Sequence, residues 1–280
     1  MTKGDEGHGI QALPHAQKGK SVRVLALGAH PDDVELLCAG TLAHYARQGA
    51  QVTVAIFTDG ALGSGAPTPA GTAALREAEA RRAADVLGAE LVWLGLPDGF
   101  LYDTRETRTR TVDVLRRARP DIVFAHHPDD YHPDHQAASR LAAAARLLAR
   151  ERALVTGHPA TAAVPPLFHL DTLAATHGAP DLWVDITTTM GVKEAMLMEH
   201  VSQNSARRAR KGSDFVDLAR QQAARRGRQA DVRYAEAFVC APAHPATSAA
   251  DLTPPGITLP YRLASASRSR DAPGREEETG

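Results

Sequence analysis

The sequence has little cysteine and no long apolar run, and each shortage argues against a class of protein. Its 280 residues include two cysteines, Cys38 and Cys240, which argues against a disulfide scaffold or a thiolate metal site and fits a reducing compartment. No apolar run approaches the roughly 20 residues of a membrane-spanning helix. The first twenty residues lack the apolar segment of a signal peptide. We therefore expect a cytoplasmic protein without a membrane partner.

An excess of charge of one sign is also missing. The chain carries 32 Lys and Arg against 33 Asp and Glu, for a net charge of -1. Nothing in this balance calls for nucleic acid or an anionic membrane as a partner. Hydrophobic residues make up 43% of the chain and charged residues 23%, which is ordinary for a globular protein with a sizeable core.

Both ends of the chain differ in composition from the middle. The first twenty residues are polar and rich in glycine, and the segment from about residue 246 is rich in Pro, Ser and charge. Such segments bury too little apolar surface to offset the entropy lost on ordering. We therefore predict flexible tails at 1–20 and 244–280 on either side of one domain at 21–243.

Within that domain, strand and helix patterns alternate. Buried-strand patterns at 21–29, 51–60, 89–96 and 121–127 are separated by amphipathic helix patterns at 34–48, 72–87 and 104–118, with a further helix at 134–150. This alternation is typical of parallel βαβ units. It predicts an α/β fold, a Rossmann-like doubly wound and mostly parallel sheet in a single domain. The Ala- and Pro-rich segment 151–166 has no clear period and is predicted to form a loop over one end of the sheet.

Histidine and aspartate are concentrated after two of the predicted strands. The decamer HHPDDYHPDH at 126–135 holds four histidines and three aspartates, and its triplet His-Pro-Asp also occurs at 30–32 in GAHPDDVE. In open α/β sheets, ligands bind beyond the carboxyl ends of the strands. Both stretches follow a strand, so we expect them to converge at one edge of the sheet.

The spacing of these residues suits a metal site. His30 and Asp33 lie three apart at a turn from strand to helix, and His132 and His135 repeat that spacing. A catalytic zinc site uses three N/O ligands and an open position, which His30, Asp33 and one histidine of the second pair would supply. Iron(II) and similar divalent ions would suit the same donors.

Asp32 would then be a free carboxylate beside the metal. A metal lowers the pKa of a bound water toward about 7, and a nearby carboxylate can accept the proton. The remaining histidine could stabilise an oxyanion or protonate a leaving amine. These roles describe a hydrolase; the structural alternative is a helix-capping aspartate with a buried histidine.

These motifs resemble those of the LmbE-like, or PIG-L, metal-dependent deacetylases. AHPDDVE at 29–35 and HPDH at 132–135 carry most of the resemblance. Shorter agreements occur at TDGALGSG (58–65), REAEARRAADVLG (76–88), LPDGF (96–100), VDIT (184–187) and YAEAF (234–238). The resemblance covers about residues 21–240. It implies an α/β hydrolase that removes the acetyl group from N-acetylglucosaminides. Related enzymes assemble into oligomers, so the resemblance is also compatible with a homo-oligomer.

Residue by residue, the resemblance implies a role for each matching position. It implies that His30, Asp33 and His135 bind Zn²⁺, Fe²⁺ or another divalent metal, and that Asp32 is the general base. His132 would stabilise the tetrahedral intermediate. The resemblance also implies that Asp134 orients His132 or its neighbours, and that Asp98 contacts sugar hydroxyls.

One departure from the family pattern bears on the substrate. The loop after the second strand has Gly65 where the bacillithiol-type enzymes carry a substrate-binding arginine. Arg76 and Arg105 are the candidates to replace it, although both fit the pattern of solvated helix residues. The same pattern-based interpretation makes His200 a helix-surface histidine and Glu79 a member of a surface ion pair. His127 and Asp130 are predicted to lie outside the metal site, lining the entrance at most or holding a second metal.

The sequence thus predicts a zinc-dependent N-deacetylase acting on a small amino-sugar substrate. Two alternatives remain open. One is an amidase of the same mechanism acting on a larger acyl group or a conjugate. The unusual loops at 60–72 and 151–166 favour this alternative. The other is a catalytically silent metal- or sugar-binding protein. The intact Asp32 argues against this alternative, because a binding protein needs no base beside the metal. The aglycone, the acyl group, the metal and the number of subunits stay open.

Overall fold

Eight strands form one sheet in the computed structural model, which describes residues 21–63, 68–173, 179–242 and 244–264. The strands are β1 (Arg23–Gly28), β2 (Gln51–Thr58), β3 (Glu90–Leu96), β4 (Ile122–Ala125), β5 (Leu167–Leu170), β6 (Leu182–Asp185), β7 (Ala235–Cys240) and β8 (Tyr261–Leu263). The helices are α1 (Asp33–Arg47), α2 (Pro69–Leu87), α3 (Arg105–Ala118), α4 (Pro133–Leu148), α5 (Met190–Met198), α6 (Val201–Lys211) and α7 (Phe215–Gln229). None of the helices in these ranges is both long and apolar enough to span a bilayer.

The sheet confirms the predicted α/β fold. Its strand order is β3-β2-β1-β4-β5-β7-β6-β8; the first five strands are parallel, and β7, β6 and β8 add antiparallel pairings. β1 pairs with β2 on one side and with β4 on the other, so the chain reverses its direction of winding between β1 and β4. Ligands in such sheets bind at this reversal point, and both His-Pro-Asp loops follow these two strands.

The sheet separates two apolar layers. One contains residues of α1, α5 and α7, with a set of aromatic rings in contact across β4, β5 and β7. The other lies between the sheet and α3 and α4. The central strands are buried on both faces, which accounts for their continuous apolar runs in the sequence.

The C-terminal segment differs from the predicted tail. β8 pairs with β6, and Leu252, Ile257 and Leu259 are buried in the first apolar layer. The hydroxyl of Tyr45 donates to the carbonyl of Leu252 at 2.6 Å. The fold therefore continues to residue 264, past the predicted boundary at 243, because a few apolar anchors suffice to hold a Pro-rich segment on the sheet. The predicted tail segments 1–20 and 265–280 lie outside the described residues.

The loop 151–166 lies at the amino ends of the strands, opposite the His-Pro-Asp loops. It follows the end of α4, and its last proline, Pro166, accepts a hydrogen bond from Val123 at the start of β4. The buried guanidinium of Arg116 donates to the carbonyls of Ala149, Glu151 and Leu154. This loop therefore covers one end of the sheet as predicted, but it is too far from the other end to contact a substrate there.

Glu236 of β7 accepts a buried cluster of hydrogen bonds beneath α1. Its carboxylate receives the backbone N–H groups of Gly40 and Thr41 and the Thr41 hydroxyl. Lys193 of α5 donates to it at 2.6 Å, and the two side chains are 2% and 3% exposed. The pair therefore joins a strand and two helices within the interior.

We expect Lys193→Met to reduce the free energy of unfolding by about 3–5 kcal/mol, because it leaves the buried Glu236 carboxylate without its cation. Urea unfolding followed by circular dichroism measures the effect. Arg81→Met is the matched control, since Arg81 pairs with Glu77 on the surface and exposed pairs contribute about 1 kcal/mol or less. Equal destabilisation of the two variants would contradict the assignment.

Candidate active site

Four potential ligand atoms from three residues converge between the β1–α1 and β4–α4 loops. Nδ1 of His30 lies 3.2 Å from Nε2 of His135 and 3.3 Å from the Asp33 carboxylate. Nε2 of His135 lies 3.4 Å from the other oxygen of Asp33. A tetrahedral zinc ion with ligands at roughly 2.05 Å keeps neighbouring ligand atoms about 3.3 Å apart. The spacing of the predicted ligand set therefore fits a metal ion of this kind.

The charge around these atoms also favours a cation. Burial lowers the pKa of His30, but contacts with Asp134, Asp33 and Asp98 outweigh burial and raise this pKa well above its ordinary value. In the same way, burial is outweighed by Asp33 and Asp130, so the pKa of His135 rises to about 9. This excess of carboxylates around two imidazoles would stabilise a bound divalent ion.

Two further histidines lie beside this set, so more than one ligand combination is geometrically open. Ligand atoms of His30, His132 and His135 lie within 4.8 Å of one another, as do those of Asp33, His126 and His135. His126 is fully buried at the end of β4, where its ring stacks on that of His135 at 3.9 Å. Its Nε2 lies 3.1 Å from both the Asp33 carboxylate and the backbone nitrogen of Ala29. His126 thus packs at the strand end, as predicted, and also contacts a candidate ligand.

Asp32 occupies the N-cap position of α1, but its carboxylate does not cap the helix. Its backbone is left-handed, with φ of 99°, and its side chain makes no capping hydrogen bond. An aspartate in this conformation is strained, and such strain is concentrated at functional sites. Burial raises the pKa of Asp32 to about 6, against the opposing effects of Arg76 and His200. A capping role therefore does not account for the Asp32 carboxylate.

His132 lies next to the candidate ligands with one ring nitrogen committed. Its Nδ1 accepts the backbone N–H of Asp134 at 3.2 Å, so in the neutral ring the proton is assigned to Nε2. Its ring lies 4.7 Å from that of His30 and 4.8 Å from that of His135. Burial, followed by His30 and His135, lowers the pKa of His132. His132 is therefore a neutral N–H donor beside the metal position.

Asp134 and Asp98 both contact the outer nitrogen of His30. Nε2 of His30 lies 3.2 Å from Asp134 and 3.3 Å from Asp98. Asp134 also accepts the N–H groups of Gly99 and Leu101, so its carboxylate orients His30 and the β3–α3 loop while its backbone holds His132. Carboxylates that hold a ligand histidine in this way fix its tautomer and ring orientation.

Asp130 is a site residue that the sequence interpretation missed. Its Oδ1 lies 3.1 Å from Nδ1 of His135 and accepts the backbone N–H of His132 at 2.9 Å. The interpretation placed Asp130 outside the metal site because the family resemblance assigns the functional residues to the second His-Pro-Asp triplet. The D-x-H pattern at 130–132 indicates a backbone turn, but it does not show that the carboxylate reaches back to His135. His127 instead contacts the backbone of Asp129 and the ring of His169.

We expect Asp130→Asn to weaken metal affinity by about 10–100-fold, because the partner of a ligand histidine sets its orientation and basicity. Competition with a chromophoric chelator measures the affinity. Asp129→Asn is the matched control, since the Asp129 side chain is 74% exposed and lies 3.9 Å from His127. A loss of affinity in the control but not in Asp130→Asn would remove Asp130 from the site.

Arg76 is buried, whereas the sequence pattern predicted a solvated helix residue. It is 2% exposed and donates to the carbonyl of Gly60 at 2.7 Å, while Nε and Nη2 lack hydrogen-bond partners among the described residues. A Cβ on Gly60 or Gly63 would collide with its guanidinium. The loop glycines therefore make room for the Arg76 guanidinium, whose charge favours the ionised forms of Asp32 and Asp98 by lowering their pKa values. Arg105, the other candidate, is exposed.

The predictions for His200 and Glu79 are also wrong. His200 is fully buried, and its Nε2 lies 3.2 Å from the Glu35 carboxylate. Glu79 is 1% exposed and accepts both the backbone N–H and the hydroxyl of Ser202 at the start of α6. The next residue, Gln203, donates to Asp32 at 3.4 Å. These polar groups connect α2 and α6 to the base of the site; Gly65 lies outside the described residues.

A family comparison agrees with this arrangement. Residues 25–146 match the PIG-L family model, described as GlcNAc-PI de-N-acetylase; they include both His-Pro-Asp loops. The diacetylchitobiose deacetylase of Thermococcus kodakarensis is 31% identical to the chain over 65% of this chain and 70% of that protein. The protein belongs to the PIG-L family. It is therefore related to a group that includes deacetylases, as the sequence resemblance implied.

Other relatives of this PIG-L protein widen the range of known chemistry. The 4-oxalmesaconate hydratase of Pseudomonas putida is 28% identical to it over 66% of this chain and 78% of the hydratase. The crystal structure of a conserved protein from Thermus thermophilus superposes with a TM-score of 0.67 at 35% identity, covering 78% of this chain and 94% of that one. Family membership thus supports a deacetylase or related hydrolase without naming the substrate.

Proposed function

We propose that the protein is a metal-dependent N-deacetylase that hydrolyses the acetamido group of an N-acetylglucosamine-type sugar. The observation that carries the proposal is Asp32, whose backbone is strained and whose buried carboxylate makes no capping hydrogen bond. It directly precedes Asp33, one of three residues whose ligand atoms lie 3.2–3.4 Å apart. A carboxylate held in this way beside a metal position is suited to general-base catalysis.

His30, Asp33 and His135 would hold the metal, and zinc or iron(II) suits two imidazoles and one carboxylate. When bound, the metal acts as a Lewis acid that polarises the acyl carbonyl and makes water more acidic. Asp130 holds His135 in place, while Asp134 and Asp98 hold His30.

The chain's own residues would carry the proton transfers. Asp32 would take a proton from the attacking water while the water oxygen forms a bond to the acetyl carbon. The Nε2–H of His132 would donate to the carbonyl oxygen as negative charge develops there. The C–N bond then breaks, and the proton on Asp32 goes to the departing nitrogen, giving acetic acid and a free amine, which exchange a proton to become acetate and an ammonium group.

The sugar assignment is supported by relatives whose names specify N-acetylated sugars. Besides the diacetylchitobiose deacetylase, one such relative, from Streptomyces griseus, is 31% identical over half of this chain and 53% of that protein. It is named a deacetylase of 1D-myo-inositol 2-acetamido-2-deoxy-alpha-D-glucopyranoside. Asp98, at the mouth of the site, would contact sugar hydroxyls through its carboxylate.

Free-amine release from N-acetylglucosaminides, using metal-reconstituted protein, tests the proposal. A panel of acetyl, butyryl and octanoyl glucosaminides also tests the amidase alternative. We expect the acetyl compound to react fastest, because the loop at 151–166 lies at the far end of the sheet and offers no surface for a long acyl chain. Preference for octanoyl would favour the amidase. Metal binding without turnover of any member would favour the silent binder.

A second candidate is hydration of an unsaturated carboxylic acid, favoured by Arg76. Its Nε and Nη2 are buried donors without partners in the described part of the chain, and a guanidinium can bind a substrate carboxylate with two parallel hydrogen bonds. The similarity to a hydratase points the same way. Loss of ultraviolet absorbance by conjugated dicarboxylates, with no amine released from the sugar panel, would support this candidate over the deacetylase.

A further inference from the structure

Three exposed apolar side chains surround the mouth of the candidate active site. Leu62, Phe100 and Tyr131 are 67%, 58% and 53% exposed; we call them the apolar rim. Each comes from a different loop: Leu62 follows β2, Phe100 follows β3 and Tyr131 follows β4. Large apolar side chains left in water beside a polar pocket are typical of a binding surface.

Phe100 and Leu62 are held at the mouth by aspartates that contact His30. The neighbours of Phe100, Gly99 and Leu101, both donate their N–H groups to Asp134, at 2.8 and 3.1 Å. The N–H of Leu62 donates to Asp98 at 3.0 Å. Its Cδ1 lies only 2.9 Å from where a Cβ on Gly99 would be, and Gly99 has φ of 77°. The absence of a side chain at Gly99 therefore leaves room for Leu62 to pack over the β3–α3 loop.

Tyr131 is held on the other side of the mouth. Its ring centroid lies 6.1 Å from that of His132 and 6.0 Å from that of His135. The N–H of the next residue donates to Asp130, which also contacts His135. The three rim residues are therefore fixed by backbone contacts to the same aspartates that orient the histidines. The backbone that carries the rim is therefore already ordered before a ligand binds.

The position of the rim determines which part of a substrate it can contact. The acetamido group must reach the atoms of His30, Asp33 and His135 to react. The rim lies outward of them, next to Asp98, where the rest of the sugar and its aglycone must lie. The solvent-facing charge next to the rim is acidic: Asp98 accepts the N–H of Leu62, and the exposed Asp129 lies two residues before Tyr131. The cation Arg76 also lies beneath the loop of Leu62, but it is buried. These surroundings disfavour an anionic aglycone and favour an apolar one.

We propose that the apolar rim binds the aglycone of the substrate, and that this aglycone is a neutral aryl or alkyl group. The inference rests on the proposed deacetylase function and narrows its substrate class. Aromatic rings of Phe100 and Tyr131 offer faces for stacking, and Leu62 adds aliphatic surface. Polar inositol and phosphate aglycones would leave these side chains in water.

The test compares methyl, phenyl, hexyl, inositol and phosphate glycosides of N-acetylglucosamine by free-amine release. We expect kcat/KM for the phenyl glycoside to exceed that for the methyl glycoside by about tenfold, the effect of burying one ring against apolar surface. Phe100→Ser should reduce this ratio to about threefold or less. Val155→Ser is the matched control: Val155 is 85% exposed in the loop at the opposite end of the sheet, and the ratio should not change.

Binding to the Asp32→Asn protein separates the rim from catalysis. Calorimetric titration with the methyl and phenyl glycosides should give about a tenfold difference in Kd, which Phe100→Ser reduces. Equal binding of the two glycosides, or preference for the phosphate, would overturn the rim assignment even if every glycoside is deacetylated. If the Asp32→Asn protein prefers the phenyl glycoside but the wild-type protein releases no amine from any glycoside, the rim assignment is supported and the deacetylase function is rejected.

Discussion

Replacing Asp32 with asparagine is expected to lower kcat by about three orders of magnitude while the protein keeps its metal. Asparagine has the same shape as aspartate and tolerates positive φ better than most residues, so the loop before α1 should keep its conformation. It cannot accept a proton from water. Amine release from the N-acetylated substrate measures kcat, and elemental analysis of the purified variant measures bound metal.

The contrary result would be decisive. Turnover within about tenfold of the wild type would remove Asp32 as the base and leave its strained backbone without a catalytic reason. Loss of metal together with turnover would mean that Asp32 is a ligand. Gln203→Glu provides a further check, because Gln203 donates to Asp32. A second carboxylate at that position should raise the pKa of whichever group acts as base.

Asp32→Gly separates catalysis from stability. Glycine adopts φ of 99° without strain, and the substitution removes a buried carboxylate whose desolvation raises its pKa to about 6. We expect the free energy of unfolding to rise by about 1 kcal/mol, after the entropic cost of glycine is subtracted. Activity should fall as in the asparagine variant. A gain in stability at the cost of function is the result expected for strain that serves catalysis.

The fold could be predicted from the sequence where one physical effect dominates. The central strands β1, β2 and β4 are buried on both faces, so their apolar runs mark them without ambiguity. Their alternation with helices then gives the parallel sheet. The C-terminal segment was misjudged because average composition conceals single anchors: Leu252, Ile257 and Leu259 are buried among residues that are mostly polar.

The site could be predicted only as far as backbone position decides it. Strand ends bring the two His-Pro-Asp loops together, so His30, Asp33 and His135 meet as expected. The supporting residues could not be predicted, because side-chain direction decides their role. Arg76 and Glu79 lie three apart on α2 in a run of Arg, Glu and Ala that resembles a solvated face, yet both are buried.

His200 and Asp130 show a further limit of sequence patterns. His200 directly precedes α6, whose residues are largely polar, and only the folded chain shows that it reaches Glu35 at 3.2 Å. Asp130 looked redundant beside a complete metal-binding motif. A buried charge needs a partner from another part of the chain, and such partners lie at sequence separations that local patterns do not encode.

The second large effect is expected from the ligand histidines. His30→Gln and His135→Gln should each weaken metal binding by at least about a hundredfold, more than loss of an outer hydrogen-bond partner costs. Turnover should fall by about a thousandfold, since the metal contributes several kcal/mol of transition-state stabilisation. Chelator competition measures the affinity, and amine release at saturating metal measures any activity that the added ion restores.

His126→Gln is the variant that decides between two of the possible ligand sets. If the metal is held by His30, Asp33 and His135, the His126 variant should bind it within about tenfold of wild type, because only an outer contact to Asp33 is lost. If Asp33, His126 and His135 hold it, His126→Gln should lose the metal while His30→Gln retains it. The pairwise distances of 3.2–3.4 Å among His30, Asp33 and His135 favour the first result. Burial agrees, because His126 is fully buried whereas the His30 side chain is 14% exposed, and a catalytic metal must be reached by substrate.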